Sequence, residues 1–345
     1  MRKIVIACDS YKGCLSSSEV ARAAAEGVAE VYPDCEIVRL AVADGGEGTV
    51  DALVETLGGH LECAEVSDPL GRPVKAAYGI AGDLAIIESA AACGLTLLTK
   101  EERNPLITNT KGLGELILAA IDKGCRRFLI GLGGSATNDG GMGMISADGF
   151  LERTRGLSFT VACDVDTPYI GPHGASRVFG PQKGASEEDV EILEERLRGY
   201  ALKILEDTGI DVSDMAGAGA AGGLGGAFCA YLDAELKRGV DLVLDQIGFD
   251  SIIDGADLVI TGEGCSDYQT LKGKTAAGVL ERAKRKGIPV MLVSGAIRDG
   301  QMLRDGGFGI IAAASPKEMS LAEAMRPETA ESNIYKTVKR LLLNE

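Results

Sequence analysis

The sequence predicts an α/β fold of two domains: a discontinuous Rossmann-like domain with a parallel sheet, and an inserted mixed α/β domain. Three observations predict it. Short β-branched runs alternate with longer helical patterns, which argues for parallel strands covered by helices. Between Leu61 and Ser89 three strand-like runs follow one another across tight turns, which reads as antiparallel. A second βαβ-like stretch closes the chain from about residue 280, so both ends serve one domain. The layout that follows is 1–60 plus 280–345 for the Rossmann-like domain and 61–279 for the insert. A chain of 345 residues suits about two domains.

The elements follow in order. Lys3–Ala7 is an apolar β-branched strand, and Ser16-Ser17-Ser18-Glu19 offers a capping box for a helix over Ser18–Val31. Glu36–Val42 is a strand and Thr49–Leu57 a helix. The three antiparallel runs are Leu61–Ser67, Val74–Ile80 and Leu84–Ser89, with turns at Pro69-Leu70-Gly71 and Ala81-Gly82-Asp83. Helix Thr110–Lys123 precedes strand Arg127–Gly131, and helix Glu187–Asp207 follows. Strands Leu258–Thr261, Val290–Val293 and Gly309–Ala313 interleave with helices Thr275–Lys286 and Ala330–Leu343. In the last helix Ala330, Ile334, Val338 and Leu341 share one face. No internal repeat is visible.

Composition narrows the function. The net charge is −16 and no basic stripe is visible, which excludes nucleic acid as a partner. An anionic substrate must then be held by local donors. No apolar run approaches the roughly 20 residues of a membrane span. The chain opens directly on a strand, without a signal-peptide pattern, and its nine cysteines form no CxxC pair. An odd cysteine count in that context reads as reduced thiols, hence a cytoplasmic protein. Glycine, at 47 residues, is about twice ordinary usage and clusters in loops where backbone approaches something closely.

Ligands of open α/β sheets bind beyond the carboxyl ends of strands, and five polar loops sit there. Cys8-Asp9-Ser10-Tyr11-Lys12-Gly13 offers a carboxylate, a hydroxyl and an ammonium able to steady a phosphate or a carboxylate. Ala43-Asp44-Gly45-Gly46-Glu47-Gly48-Thr49 places free N–H groups at a helix start, a natural anion site. Its own Asp44 and Glu47 would repel a phosphate unless a cation lies between, and Mg²⁺ favours that mix of carboxylate and phosphate oxygens. Gly131-Leu132-Gly133-Gly134-Ser135-Ala136-Thr137-Asn138-Asp139-Gly140-Gly141-Met142-Gly143 interleaves glycines with polar side chains, as a phosphate cradle does. Asp164 and Asp166 are i, i+2 and would face one way on a strand, which suits a cation, although a solvated turn explains them as well. Glu263 and Asp267 lie in Thr261–Thr270 and suit a metal, with Gln269 and Thr270 placed to read hydroxyls. Gln182-Lys183-Gly184 looks like an anion-contacting turn, and the small residues of Gly217–Gly225 read as close helix packing.

None of these loops fits GxxxxGK[ST], nor GxGxxG with a ribose acid. The two histidines, His60 and His173, lie outside them, so His–Asp catalysis and histidine zinc sites lack their parts. Phosphoryl transfer fits what is left, because it needs positioning and charge neutralisation more than covalent chemistry. An Asp suffices to accept an alcohol proton, and Asp44 and Asp139 are the candidates.

Taken together, Asp9–Gly13, Val42–Thr49, Gly131–Gly141, Ala162–Asp166, Phe179–Gly184, Gly217–Gly225, Thr261–Gly264 and Gln269-Thr270 resemble the bacterial type I glycerate kinases, from the first strand to about Gly295. The order of so many short motifs is specific where each alone is weak. The resemblance implies ATP-dependent phosphorylation of D-glycerate, in most members at the 2-hydroxyl, with ATP and Mg²⁺ as cofactors and glycerate as the small-molecule partner. The expected roles are then these. Asp44 or Asp139 is the base, and Lys12 and Lys183 neutralise anions. Asp9, Ser10, Gly45, Gly46, Glu47, Gly48, Gly133, Gly134, Ser135, Asn138, Gln182 and Gln269 hold the nucleotide or acid. Asp164, Asp166, Glu263 and Asp267 are the pool for the metal.

Three positions depart from the family pattern. The connection Phe150–Ser158 is abbreviated, Tyr11 stands where the family usually has Phe, and Cys265 stands where it has Arg after Gly-Glu-Gly. If that Arg neutralises an anion, the alternatives are a kinase for a different hydroxy acid or a turnover-deficient nucleotide and acid sensor. A homodimer stays open.

Overall fold

The computed structural model describes residues 1–343. Its strands are β1 (Lys3–Cys8), β2 (Glu36–Ala41), β3 (His60–Ser67), β4 (Pro73–Ala81), β5 (Leu84–Glu88), β6 (Arg127–Gly131), β7 (Ser158–Ala162), β8 (Glu235–Lys237), β9 (Leu258–Thr261), β10 (Cys265–Ser266), β11 (Val290–Ser294), β12 (Ala296–Ile297) and β13 (Ile310–Ala313). Contacts divide the chain into Met1–Asp44 with the segment from Val240 onward, and Gly45–Gly239. The fold is therefore α/β with a discontinuous first unit and an inserted second one. Both expected joints move, from 60 to 44 and from 280 to 240. Helix Thr49–Thr56 packs on β4 and β5, and so belongs to the insert. The pairing of β9 with β1 draws the stretch after Val240 into the first unit.

The first unit holds a five-stranded sheet in the order β13-β11-β9-β1-β2, parallel throughout. Its central strands β1, β9 and β11 are buried on both faces, which is why β1 and β9 read as unbroken apolar runs. Helix Ser17–Val31 opens with the expected capping box, in which the Ser16 hydroxyl and the Glu19 carboxylate bond each other's backbone N–H groups. It packs along helix Pro327–Leu343, whose Ala330, Ile334 and Val338 join Ile4, Ile6, Val28 and Ile260 in one core. Gly27 sits at that crossing. A Cβ there would lie 2.8 Å from the Tyr335 carbonyl oxygen, so glycine lets the two helices approach.

The second unit holds a six-stranded sheet in the order β3-β4-β5-β6-β7-β8. The β3-β4-β5 meander is antiparallel, as its tight turns require, and β5 through β8 run parallel. Its core centres on Tyr78, Ile87, Leu116, Phe128, Phe159 and Phe228, with Phe128 and Phe159 stacked at 4.7 Å between ring centres. Strands β7 and β8 had no sequence expectation. All nine cysteines are free thiols, and no helix among the described residues is long and apolar enough to cross a membrane.

Candidate functional site

In the first sheet the chain leaves β1 toward β2 on one side and leaves β9 toward β11 on the other. The two strands are neighbours, so their loops part at this point and leave a crevice beyond their carboxyl ends. A cavity of about 620 Å³ opens there, lined by Asp9, Lys12, Asp44, Glu263, Cys265 and Lys274 among others. Asp9 follows β1 directly. Its Oδ1 accepts from the Ser10 N–H at 2.7 Å and its Oδ2 from the Thr275 hydroxyl at 2.6 Å. Burial nonetheless pushes its carboxyl up to about 6; the Thr275 bond resists, and Asp44 adds repulsion. Asp44 is half-buried after β2, and Lys12 is exposed.

Glu263 forms the floor. Its Oε1 accepts from the Ser266 hydroxyl at 2.9 Å and the Thr270 hydroxyl at 2.6 Å, and its Oε2 pairs with Lys274 Nζ at 3.2 Å. Those bonds occupy the carboxylate and tie the loop after β9 to the start of helix Thr275–Arg285. Asp267 Oδ1 accepts from the Gln269 N–H, a local turn bond. Gln269 itself is exposed, with its amide 3.3 Å from the Tyr268 hydroxyl. The Tyr11 hydroxyl, absent in a Phe, donates to the Val293 carbonyl at 3.1 Å.

The second unit carries the long Gly-rich loop after β6. Asp139 lies within it, half-buried as a residue but with its carboxylate enclosed by donors. Oδ2 accepts from the Thr110 N–H, the Thr110 hydroxyl and the Gly143 N–H, and Oδ1 from the Gly141 N–H, all between 2.8 and 3.1 Å. Burial raises its carboxyl and those bonds oppose the rise. This is a carboxylate that organises backbone, with both oxygens already accepting hydrogen bonds. Lys183 lies under the same loop, only 2 % exposed. Its Nζ donates to Ser135 Oγ at 2.9 Å and to the Thr137 carbonyl at 2.7 Å. Burial pulls the ammonium down to about 7, against the raising influence of Asp139 and Cys93. Lys183 thus supports the loop through Ser135 and Thr137. Asn138 is buried too, with its amide nitrogen on the Ser176 hydroxyl. Gln182 is exposed on the adjoining turn. Gly133 and Gly134 are the loop's exposed face.

The helix start at Thr49 departs most from expectation. Glu88, at the end of β5, accepts the Val50 N–H at 3.1 Å and also bonds the backbone of Thr49 and Gly48. The positive helix end thus already holds an anion from the chain itself, bonded to the N–H groups of Gly48, Thr49 and Val50. Gly45 serves packing: at φ +88° a Cβ would meet Ala162 Cβ at 2.6 Å. Glu47 is exposed and Gly46 half-buried.

The four residues of the expected metal pool divide between the two units. Asp164 and Asp166 belong to the second unit, Glu263 and Asp267 to the first. Strand β7 ends at Ala162, so Asp164 and Asp166 lie in a loop and not on one strand face. Asp164 Oδ1 accepts from the Gly239 N–H at 2.9 Å. Among the described residues no three His, Cys, Asp or Glu side chains form a metal-holding group. Gly222 and Gly223 pack against Thr137 and Gly140, the close approach that the Gly217–Gly225 run was read to allow.

The glycerate kinase family pattern matches residues 4–151 and 145–343, two stretches that meet beside the short connection at Phe150. The glycerate kinase of Bacillus subtilis is 44 % identical over 93 % of this chain and 94 % of its own length. The glycerate 2-kinase of Escherichia coli K12 is 45 % identical over 86 % of each. A crystal structure from Salmonella typhimurium LT2, provisionally assigned as glycerate kinase 2, superposes with a TM-score of 0.88 at 40 % identity, covering 99 % of this chain and 98 % of that one.

The chain belongs to the glycerate kinase family.

Within a glycerate kinase framework, the first unit's cavity brings together Asp9, Lys12, Asp44 and Glu263 from the sequence expectation. It adds Lys274, while Thr275 holds Asp9 from behind; the signal of both was their place at a helix start after Gly273. Glu88 had a signal as well, a carboxylate one residue before the end of the strand candidate Leu84–Ser89. Cys265 is half-buried on β10 and lines the cavity with a thiol.

Proposed function

We propose that the chain transfers the terminal phosphoryl group of ATP to the 2-hydroxyl of D-glycerate, giving 2-phosphoglycerate and ADP. Family membership supports this, and one observation carries it to residues: Asp9, Lys12 and Asp44 line a single cavity at the point where the first sheet's strand order reverses. ATP is a cytoplasmic donor, which puts the reaction there.

Lys12, exposed on the loop after β1, neutralises transferred phosphate as a point charge. Asp44 accepts the alcohol proton, since the other candidate, Asp139, is enclosed by four donated bonds. Asp9 is the residue that would hold Mg²⁺. It lines the cavity together with Asp44, and a divalent cation suits two carboxylates beside a phosphate. Bound there, the ion would supply charge neutralisation for phosphate oxygens. In the second unit the exposed backbone of Gly133 and Gly134 offers donors for an anionic group, with Lys183 positioning the loop through Ser135 and Thr137.

The test is ATP turnover with D-glycerate, with the product passed to an enolase. That enzyme dehydrates 2-phosphoglycerate directly and leaves 3-phosphoglycerate untouched. Turnover only with another hydroxy acid, or none, overturns the assignment. A second reading, a sensor without turnover, is favoured by Cys265 in the cavity wall. On that reading Cys265→Arg sharply raises kcat; on ours it leaves the rate unchanged or lower.

A further inference from the structure

The cavity of the first unit has two chemical halves. One is the polar half already described. The other is apolar and comes from the end of β13 and the segment after it: Ala313, Ala314, Pro316, Met319, Leu321 and Met325. Loops from the carboxyl ends of four neighbouring strands, β1, β9, β11 and β13, all open on this space. At about 620 Å³ it falls in the size range of small-molecule and cofactor sites.

The apolar half is not closed by the chain. Leu321 is 75 % exposed and Met325 39 % exposed, two of the large apolar side chains the molecule leaves in water. Met319 is steadied by the Asn333 amide, 3.5 Å from its sulfur. Met325 also reaches the phosphate-facing loop, since a Cβ on Gly13 would lie 3.4 Å from its terminal methyl. The apolar wall and the polar loop are thus continuous. Glycerate, a three-carbon acid with no apolar face, has nothing to cover such a wall. A nucleotide has both parts, a flat apolar base and a polyanionic tail. The one aromatic ring on the cavity is Tyr11, and its hydroxyl is already bonded to Val293. The base is therefore held by aliphatic and thioether contacts, which methionine's flexible, polarisable side chain makes well.

We infer that this cavity is the nucleotide site, with the adenine base against Ala313, Met319, Leu321 and Met325 and the phosphates toward Lys12 and Asp9. The inference rests on the kinase reading for its ligand class, but its test is separate from turnover. Calorimetry with ADP, inorganic tripolyphosphate and D-glycerate is run on the wild type and on two variants. Ala313→Phe fills the mouth at the end of β13 and raises the ADP Kd by about tenfold or more. Leu321→Ser changes an exposed position, so folding is not at risk, and raises the ADP Kd by roughly threefold to tenfold. Neither variant shifts tripolyphosphate or D-glycerate, which lack the base. An unchanged ADP Kd in both variants, no ADP binding to the wild type, or a shift in D-glycerate instead of ADP overturns the inference. If ADP responds as expected while no glycerate is phosphorylated, the nucleotide site stands and the acid assignment falls.

Discussion

The loop after β1 and the loop after β6 look alike as strings, each mixing glycine, hydroxyls, a lysine or amide and an aspartate after a strand. In the structure they differ. Around β1, burial raises the Asp9 carboxyl to about 6, Lys12 stands exposed, and both line a cavity. Around β6, Asp139 and Lys183 point inward and bond the loop to the body of its own unit. A polar side chain in a Gly-rich loop can thus meet a ligand or replace one, and the satisfaction of its hydrogen bonds tells which.

That contrast can be broken by substitution. Asp44→Asn is expected to have the largest effect, lowering kcat by roughly 10²- to 10⁴-fold through loss of the proton acceptor, with unfolding unchanged. An activity loss matched by a lower Tm would instead make Asp44 part of the scaffold. Asp139→Ala works the other way, leaving four donors without an acceptor and costing about 3 kcal/mol of stability. If urea unfolding moves by less than about 1 kcal/mol while kcat collapses, Asp139 belongs with the chemistry.

Lys183 gives a pH signature. Its folded value of about 7 lies below the ordinary range near 10.4, so between those values the unfolded chain holds a proton that the folded one has released. Stability from this group therefore rises with pH from about 7 toward 10 and is flat below 7, where both states are protonated. Between pH 7 and 9 the wild type should gain about 2 kcal/mol relative to Lys183→Met. Parallel stability curves would show that the ammonium stays charged under the loop. The smallest effect belongs to Glu88→Gln, about 1 kcal/mol from a weakened helix cap at Thr49. Should that variant lose nucleotide or acid affinity with no change in Tm, the helix end is a ligand site after all.

The fold was largely legible because its signals are local. Runs such as Ile4-Val5-Ile6 and Leu258-Val259-Ile260-Thr261 announce buried parallel strands, and Ser16 with Glu19 announces a helix start. Strand β8 escaped because it has three residues with an exposed first one, too short to show a period. The site was legible as a list of loops and illegible as partnerships. Asp164 with Asp166 fit a cation by spacing alone, but the strand ends two residues before Asp164. Glu263 looked free for a metal until Ser266, Thr270 and Lys274 converged on it. Glu88 and Gly48 are 40 residues apart, and no string pattern predicts that one plugs the other.

The first sheet also sets an order of assembly. Strand β1 lies between β2 and β9, so Ile4, already beside Ile37, finds its second neighbour only when Leu258 has left the ribosome. At roughly 5 to 20 residues per second, β1 and β2 wait on the order of ten to forty seconds for that partner. The second unit, complete by Gly239, has its whole sheet in hand during that interval. Nascent chains stalled just past Gly239 should accordingly show Gly45–Gly239 resistant to protease while the first 44 residues are still cut. The amino terminus of this chain is made first and finished last.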